Sequence, residues 1–303
     1  MPRPGRSTDA EAFFARLMDG PLRRSDDLDT EYPARVGHWT LEDEIGRGGG
    51  SCVYSASRVT PSGTLQAALK LARRLSPHTL ALFDAEAHVL RHLSAPTVAA
   101  LYDAGQHHDG RPYLALEVVD GECVTDHAKP LRARGRLEVA ASMCESVGVL
   151  HDAGFVHADL KPAHLIVRGT GDVTVLDLGL AHGHDLEVGN EAQAITPEFA
   201  APEQVLSETV SAQTDVYALG LIAYEVLTER AQDVPWVLGG VEDVLDMPAT
   251  PSGIAPDSVW ASVDWGVVTA LRAAVHPSPE QRFATAGAFA RSLRAALDAT
   301  ADA

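Results

Sequence analysis

The sequence predicts an α+β fold with two unequal lobes. Residues 38 to 119 have mainly the patterns of short strands with one helical segment, whereas helical patterns dominate residues 120 to 298. The length of 303 residues and the apolar content of 46% allow one two-lobed domain or two small ones. The change of pattern near residue 120 therefore marks a predicted boundary between an N-lobe (38–119) and a C-lobe (120–298).

Charge and apolar patterning argue against several classes of protein. A formal net charge of −18 argues against nucleic acid or an anionic membrane as the main partner. No apolar run approaches the roughly 20 residues of a membrane helix, and no signal-peptide core follows the basic N-terminus. The three cysteines are far apart and lack metal-like spacing. We therefore expect a cytoplasmic protein, and the pattern does not indicate its oligomeric state.

Residues 1 to 37 differ from the rest of the chain. They are rich in Pro, Arg, Asp and Glu, and only residues 10 to 18 could form a helix with an apolar stripe. We expect an N-terminal extension that is partly disordered.

The N-lobe pattern places a glycine cluster ahead of a lysine and a glutamate. Strand patterns cover residues 39–41, 45–54 and 66–70, and the cluster contains Gly46, Gly48 and Gly50. Glycine adopts positive φ at little cost, so this turn could fold closely over phosphates. Lys70 ends an apolar strand, and Glu86 lies in a predicted helix over residues 77–93, whose apolar face carries Ala85 and Val89. Further strands are predicted over residues 101–103 and 112–119.

Two C-lobe loops carry carboxylates between apolar segments. In residues 157–164, the catalytic loop, Asp159 precedes Lys161 by two positions. A carboxylate there can accept a hydroxyl proton, and the lysine can steady a phosphoryl group. In residues 177–179, the metal-binding loop, Asp177 follows a strand pattern and could ligate Mg²⁺. Taken alone, either segment could equally be a solvated loop.

In this order and spacing, the two loops resemble those of protein kinases, and more narrowly of the bacterial eukaryotic-like (Hanks-type) Ser/Thr kinases. Residues 196–203, 214–220 and 277–282 resemble later motifs of the same family. The resemblance spans residues 38 to 298. It implies a bilobal protein-kinase-like fold, with a small antiparallel sheet and one helix C in the N-lobe and a larger, mainly helical C-lobe.

The resemblance also implies a pocket for ATP between the lobes. Leu116 would guard its rear, and the backbone of residues 117–119, the hinge, would bind the adenine edge. Ser51 departs from the family, because it stands at the position of the third glycine. The implied pocket residues are Gly46, Gly48, Gly50, Ser51, Val53, Ala68, Lys70, Leu116, Glu117 and Val119.

The implied reaction is transfer of the ATP γ-phosphate to Ser or Thr hydroxyls of protein substrates. Asp159 would orient the hydroxyl and accept its proton, and Lys161 would contact the γ-phosphate. Lys70 would hold the other phosphates, Glu86 would hold Lys70, and Asp177 would hold Mg²⁺. Transfer to a small molecule is the weaker alternative, because residues 196–203 resemble the segment found in kinases that act on proteins.

Ala158 departs from the family in the catalytic loop. The arginine usual at this position receives a phosphate from the activation segment. Residues 180 to 195 of that segment contain no Ser, Thr or Tyr. The two absences agree, and they predict that phosphorylation of this segment does not switch the protein.

His164 is the second departure, at the position of an asparagine that ligates one metal ion. Imidazole suits Mn²⁺ or Zn²⁺ better than hard Mg²⁺. Three hypotheses follow: an active kinase whose metal is carried by Asp177, with Mn²⁺ possible in place of Mg²⁺; a pseudokinase that binds nucleotide as a regulatory or scaffold module; or another role for His164, such as proton handling.

Three further residues have structural roles in the resemblance. Asp215 would brace the catalytic loop by accepting backbone hydrogen bonds, and Arg282 would pair with Glu203. Residues 233 to 257 are acidic and rich in Pro and Gly, and the sequence assigns them no role.

Overall fold

The computed structural model describes residues 34–48, 50–94, 96–183, 196–229 and 263–299. The predictions for residues 1–33, for most of the activation segment and for residues 233–257 lie outside these ranges.

The N-lobe is built on one antiparallel sheet of six strands. Its order is β1-β2-β3-β4-β6-β5. The first strand lies within the segment that the sequence pattern assigned to the N-terminal extension. The strands are β1 (Arg35–Val36), β2 (Trp39–Arg47), β3 (Ser51–Thr60), β4 (Gly63–Ala72), β5 (Leu101–Gln106) and β6 (Pro112–Leu116).

The alternation of side chains along β4 divides the sheet into a core face and a cleft face. Leu69 and Leu71 are buried in an apolar cluster with Trp39, whereas Lys70 lies opposite Val53 of β3. Because successive side chains of a strand point to opposite faces, Lys70 points away from that cluster. The indole N–H of Trp39 donates to Asp103 at 3.0 Å, which ties β2 to β5.

One helix, α1 (Pro77–His92), packs beside the sheet. The hydroxyl of Ser76 accepts a hydrogen bond from the backbone N–H of Thr79, and Pro77 occupies the first turn, both typical of a helix start. The predicted apolar face is buried at Ala85 and Val89. Glu86 is buried on the same helix, on the side that meets the cleft.

The C-lobe is mainly helical. Helices α3 and α5 pack with α7 around a core that contains Met143, Tyr217 and Phe289. Gly148 of α3 lies so close to α7 that an added Cβ would sit 2.9 Å from the backbone nitrogen of Gly287. The helices are α2 (Val124–Ala128), α3 (Ala133–Asp152), α4 (Pro202–Val205), α5 (Ala212–Thr228), α6 (Trp265–Ala274) and α7 (Ala286–Ala299).

Two small sheets border the cleft on the C-lobe side. The first contains β7 (Gly121–Cys123), β9 (Leu165–Arg168) and β10 (Val173–Val175). The second pairs β8 (Phe155–Val156) with β11 (His182–Gly183). The catalytic loop joins β8 to β9, and the metal-binding loop follows β10, so both loops emerge beneath the N-lobe sheet.

The arrangement confirms the predicted bilobal α+β fold. Among the helices in the described ranges, none is long and apolar enough to cross a membrane.

Candidate active site

A cleft with about 500 Å³ of empty space, open to solvent, lies between the lobes. Side chains from the sheet, from α1 and from the metal-binding loop line it together. They are Val53, Ala68, Lys70, Glu86, Leu90, Ala99, Leu116, Glu117, Val175, Leu176, Asp177 and Leu178. Six of the predicted site residues of the N-lobe and hinge therefore share one cavity with Asp177.

An ammonium group and two carboxylates meet at the inner end of this cleft. Lys70 Nζ donates to Glu86 Oε2 at 2.7 Å and to Asp177 Oδ1 at 2.6 Å. The Glu86 side chain is 3% exposed, whereas that of Asp177 is 31% exposed. Lys70 thus connects helix α1 to the metal-binding loop, and one side of Asp177 remains open to the cleft.

The charges of this cluster stabilise one another. Burial opposes ionisation of Lys70, yet the carboxylates of Asp177 and Glu86 raise its pKa above the usual value. Burial likewise opposes ionisation of Asp177, but the Lys70 ammonium holds the pKa of this carboxyl well below its usual range. Burial raises the pKa of Glu86, and Lys70 acts against that shift. Asp177 is therefore an ionised oxygen donor near neutral pH.

The catalytic loop is anchored from below by Asp215 of α5. Its carboxylate accepts the backbone N–H groups of His157 at 2.7 Å and Ala158 at 2.8 Å. The bracing predicted for Asp215 is present. Ala158 has φ of +66°, and its C=O accepts from the Gln204 side chain at 2.6 Å. Such a conformation costs a non-glycine residue about 1–2 kcal/mol, so these contacts hold the loop in a strained shape.

Asp159 is positioned by Thr196. The Thr196 hydroxyl donates to Asp159 Oδ1 at 2.8 Å, and the Thr196 backbone N–H lies 3.3 Å from the same oxygen. Burial raises the pKa of Asp159, and the hydrogen bond from Thr196 and the charge of nearby Lys161 oppose that rise. A carboxylate with raised pKa, held in place on a loop, is suited to accept a proton.

His164 lies at the end of a short 3₁₀ turn, Pro162–His164, and is fully buried. Its Nδ1 is 2.8 Å from the Asp159 carbonyl oxygen. Its Nε2 lies 3.6 Å from Asp177 Oδ2 and has no hydrogen-bond partner among the described residues. Burial lowers the pKa of His164 to about 3, so the ring is neutral near pH 7.

The glycine-rich turn joins β2 to β3. Gly48 N–H donates to the Ser51 carbonyl at 2.9 Å, and Ser51 begins β3 opposite Ala72. Among the described glycines with positive φ, neither Gly46 nor Gly48 is found, so positive φ does not explain these two positions. An added Cβ at Gly50 would meet no atom within 4 Å, so the space beside it is open.

An apolar cluster joins the two lobes beside this turn. The predicted residues Val53, Ala68 and Val119 belong to it. Its other members, which were not predicted, are Ile45, Ala99, Cys123, Ile166 and Leu176. They lie on strands or just outside them, where burial alone explains an apolar residue, so the sequence holds no signal that they face the cleft.

The hinge is fixed by its own glutamate. The backbone N–H of Glu117 donates to the Ala100 carbonyl at 2.8 Å, so it is not free for a ligand. The Glu117 carboxylate binds Arg168 of β9 through two hydrogen bonds of 2.6 and 3.1 Å. Leu116 pairs with Ala68 across the sheet and lines the cleft. Arg168, which ends β9, was not predicted as a partner of Glu117.

A buried ion pair holds the end of the activation segment to the C-lobe. Arg282 donates to both carboxylate oxygens of Glu203, at 2.7 and 2.9 Å, and both side chains are buried. The predicted pair is therefore present.

The sequence matches the family described as protein kinase domain over residues 39–236. The chain belongs to this family. The match covers the cleft, both loops and α5, so the geometry above is that of a kinase domain.

Two relatives are bacterial Ser/Thr kinases, which confirms the predicted resemblance. The chain is 33% identical over 275 residues to serine/threonine-protein kinase Pkn1 of Myxococcus xanthus, covering 87% of the chain and 39% of Pkn1. It is 30% identical over 279 residues to PknB of Mycobacterium leprae, covering 87% of the chain and 44% of PknB. The matched part therefore spans only about two fifths of the length of these relatives.

A solved structure shares the fold. The kinase domain of PknI from Mycobacterium tuberculosis superposes with a TM-score of 0.64 at 20% identity, covering 86% of this chain and 97% of that domain.

Proposed function

We propose that the chain is a Ser/Thr protein kinase that transfers the γ-phosphate of ATP to hydroxyl groups of protein substrates. The observation that carries the proposal is the contact of Lys70 with both Glu86 and Asp177 in the cleft between the lobes. Asp159 is near enough for the charge of Asp177 to affect its pKa. Similarity to bacterial Ser/Thr kinases supports the same activity.

ATP would lie in the cleft with its base against the apolar cluster. The Glu117 carbonyl and the Val119 N–H are the hinge groups that would bind the adenine edge, because the Glu117 N–H is already bonded. Lys70 and the glycine-rich turn would bind the phosphates. The open space beside Gly50 supports this placement.

A divalent cation, normally Mg²⁺, would be held at Asp177. The residues fit such an ion, because the carboxylate stays charged and its Oδ2 is not used by Lys70. When bound, the cation neutralises charge on the phosphates during transfer. Among the described residues no cluster of three or more His, Cys, Asp or Glu could hold a metal by itself. The nucleotide would therefore supply the remaining ligands.

Asp159 would act as the general base. It would accept the proton of the substrate Ser or Thr hydroxyl while that oxygen forms its bond to the γ-phosphorus. The bond from that phosphorus to the oxygen bridging the β- and γ-phosphates breaks in the same step, and ADP leaves. Thr196 and the braced backbone of residues 157–158 hold the carboxylate in place for this step. Lys161 is close enough for its charge to lower the pKa of Asp159, which suits its proposed contact with the γ-phosphate.

We further propose that activation-segment phosphorylation does not control the activity. Ala158 is buried and cannot bind a phosphate, and Gln204 holds its carbonyl group without one. The hydrogen bonds from the catalytic-loop backbone to Asp215 likewise keep this loop in place without a phosphate.

We also propose that the domain works in the cytoplasm. Its three cysteines are all free and buried, as expected where thiols stay reduced, and ATP is available there.

Labelled ATP tests the proposed activity. The wild-type chain should incorporate label into itself or into a generic protein substrate with Mg²⁺ or Mn²⁺, and Asp159→Asn should not. Phosphoamino-acid analysis should give phosphoserine or phosphothreonine. No incorporation under either metal, with retained binding of a fluorescent ATP analogue, would support the pseudokinase instead.

A further inference from the structure

The environment of the His164 ring is unusual for a buried imidazole. Its Nδ1 lies 2.8 Å from the Asp159 carbonyl, and a carbonyl oxygen only accepts, so Nδ1 carries the proton. In that tautomer Nε2 is an acceptor, and it lies 3.6 Å from a second acceptor, Asp177 Oδ2. Two acceptors thus face each other with no donor between them among the described residues.

His157, stacked on His164 at 5.6 Å between ring centroids, provides a contrast. Its Nε2 lies 2.9 Å from the Leu176 carbonyl, and its Nδ1 accepts the Asp159 N–H at 3.2 Å. Both nitrogens of His157 are therefore satisfied within the protein. In His164 only Nδ1 is satisfied in this way, and Nε2 lies near the charged carboxylate of Asp177 in the metal-binding loop.

Leaving a buried acceptor unpaired is unfavourable, so a positive group is expected between these two atoms. Lys70 does not supply it, because its ammonium contacts Asp177 Oδ1 and Glu86. A proton on His164 Nε2 does not join the two atoms either, because their separation of 3.6 Å is longer than a hydrogen bond. Metal–nitrogen and metal–oxygen bonds are each about 2.0–2.2 Å, so one cation can contact two atoms 3.6 Å apart.

We propose that His164 Nε2 and Asp177 Oδ2 form a mixed nitrogen–oxygen metal site that makes the nucleotide complex prefer Mn²⁺ and Co²⁺ to Mg²⁺. Imidazole is a donor for borderline transition metals, whereas Mg²⁺ takes oxygen ligands and water. The inference rests on the proposed nucleotide cleft. Because the described part of the chain offers only these two ligands, the site forms when phosphate oxygens complete it, and metal binding depends on nucleotide.

The test is Mn²⁺ binding to the wild-type chain, with and without a non-hydrolysable ATP analogue, followed by electron paramagnetic resonance. Pulsed measurements report a nitrogen bonded directly to Mn²⁺, and ¹⁵N-histidine labelling assigns that nitrogen to imidazole. We expect a histidine nitrogen signal only when the analogue is present. This measurement needs no variant, so it does not depend on how a substitution folds.

His164→Asn is the matched variant, because it places an oxygen donor at the same position. We expect the nitrogen signal to disappear and the ratio of Mn²⁺ to Mg²⁺ affinity, measured by titration with the analogue present, to fall at least about tenfold. His108→Asn, in an exposed turn between β5 and β6, controls for the loss of a histidine and should change neither quantity.

Two results would overturn the proposal. If Mn²⁺ binds with nucleotide but shows no histidine nitrogen, and His164→Asn keeps the same metal preference, the nitrogen ligand is refuted while the kinase cleft stands. If neither the analogue nor metal binds to the wild-type chain, the nucleotide cleft itself is wrong, and this inference falls with it.

Discussion

The catalytic loop and the metal-binding loop place their aspartates in opposite electrostatic environments. Asp159 is largely enclosed, and burial raises its pKa despite the hydrogen bond from Thr196. Asp177 lies against the Lys70 ammonium, which holds its pKa well below the usual range despite burial. Two carboxylates that line one active site are thus prepared for different tasks.

The two environments suit two different tasks, proton transfer at Asp159 and cation binding at Asp177. A general base works best when its proton affinity lies near the working pH, whereas a ligand of a cation must stay charged. Both loops hold a non-glycine residue at positive φ, Ala158 at 66° and Asp177 at 58°. Different residues keep the two loops in these strained conformations. Asp215 supports the catalytic loop from the C-lobe, and Lys70 holds the metal-binding loop from the N-lobe.

The largest expected effect comes from removing the aspartate charge of each loop in turn. Asp159→Asn should lower turnover about 100- to 10,000-fold and leave binding of the nucleotide unchanged, because it removes only the proton acceptor. Asp177→Asn should weaken binding of the metal–nucleotide complex, because it removes the charged oxygen donor. Turnover and the dissociation constant of a fluorescent ATP analogue, measured for both variants, check this. Equal losses of nucleotide affinity would erase the distinction between the loops.

The second effect concerns the supports of the two loops. Asp215 is buried and holds two backbone N–H groups and the His151 ring, so Asp215→Asn should lower the free energy of unfolding by about 3–5 kcal/mol. Lys70→Met should cost less stability, because Asp177, one of the two partners of Lys70, is partly exposed and can be solvated. Urea unfolding of the two variants measures both values. A larger loss for Lys70→Met would reverse our assignment of the stronger support.

The third prediction concerns pH. Burial raises the pKa of Asp159, so activity should fall on the acid side at a pH above the value near 3.9 of an ordinary aspartate. In Thr196→Val the hydrogen bond to the charged form is lost, the pKa rises further, and the acid limb moves to higher pH. Turnover should fall about 10- to 100-fold, the equivalent of one charge-assisted hydrogen bond.

Thr196→Ser keeps the hydroxyl and serves as the control, with the acid limb near its wild-type position. Because folding raises the pKa of Asp159, its ionised form destabilises the folded protein. The contribution of Asp159 to the free energy of unfolding should therefore fall as the pH rises from the pKa of the unfolded state to that of the folded state. An acid limb that is identical in Thr196→Val and the wild type would remove Asp159 as the titrating base.

The smallest expected effect concerns phosphorylation of the activation segment, which we expect to leave the activity unchanged, in agreement with the alanine at position 158. Phosphatase treatment of the purified protein should leave its activity unchanged, because residues 180–195 contain no hydroxyl group to phosphorylate. Intact-mass measurement before and after treatment, with peptide mapping, verifies the phosphorylation state. A stoichiometric phosphosite in the activation segment on which activity depends would contradict the prediction.

Ordered motifs were enough to predict the two-lobed fold. Taken one at a time, the site residues look like ordinary surface groups, as at Lys70, Glu86, Asp159 and Asp177. Only their order along the chain related them to one cleft. The brace from Asp215 and the pairing of Glu203 with Arg282 could be predicted in the same way. The apolar residues Ile45 and Ile166 could not, because an apolar strand residue looks the same whether it faces a core or a ligand.

The sequence by itself determined which chemical groups this protein has: the lysine, the two aspartates, an alanine at position 158 and a histidine at position 164. Tertiary structure decided the state of those groups. Burial and the position of Lys70 separate the proton affinities of the two aspartates, and the His164 ring is oriented by one carbonyl so that its free nitrogen faces Asp177. Solvent exclusion and distances of a few ångströms between remote segments set these properties, and the order of residues along the chain does not encode either one directly.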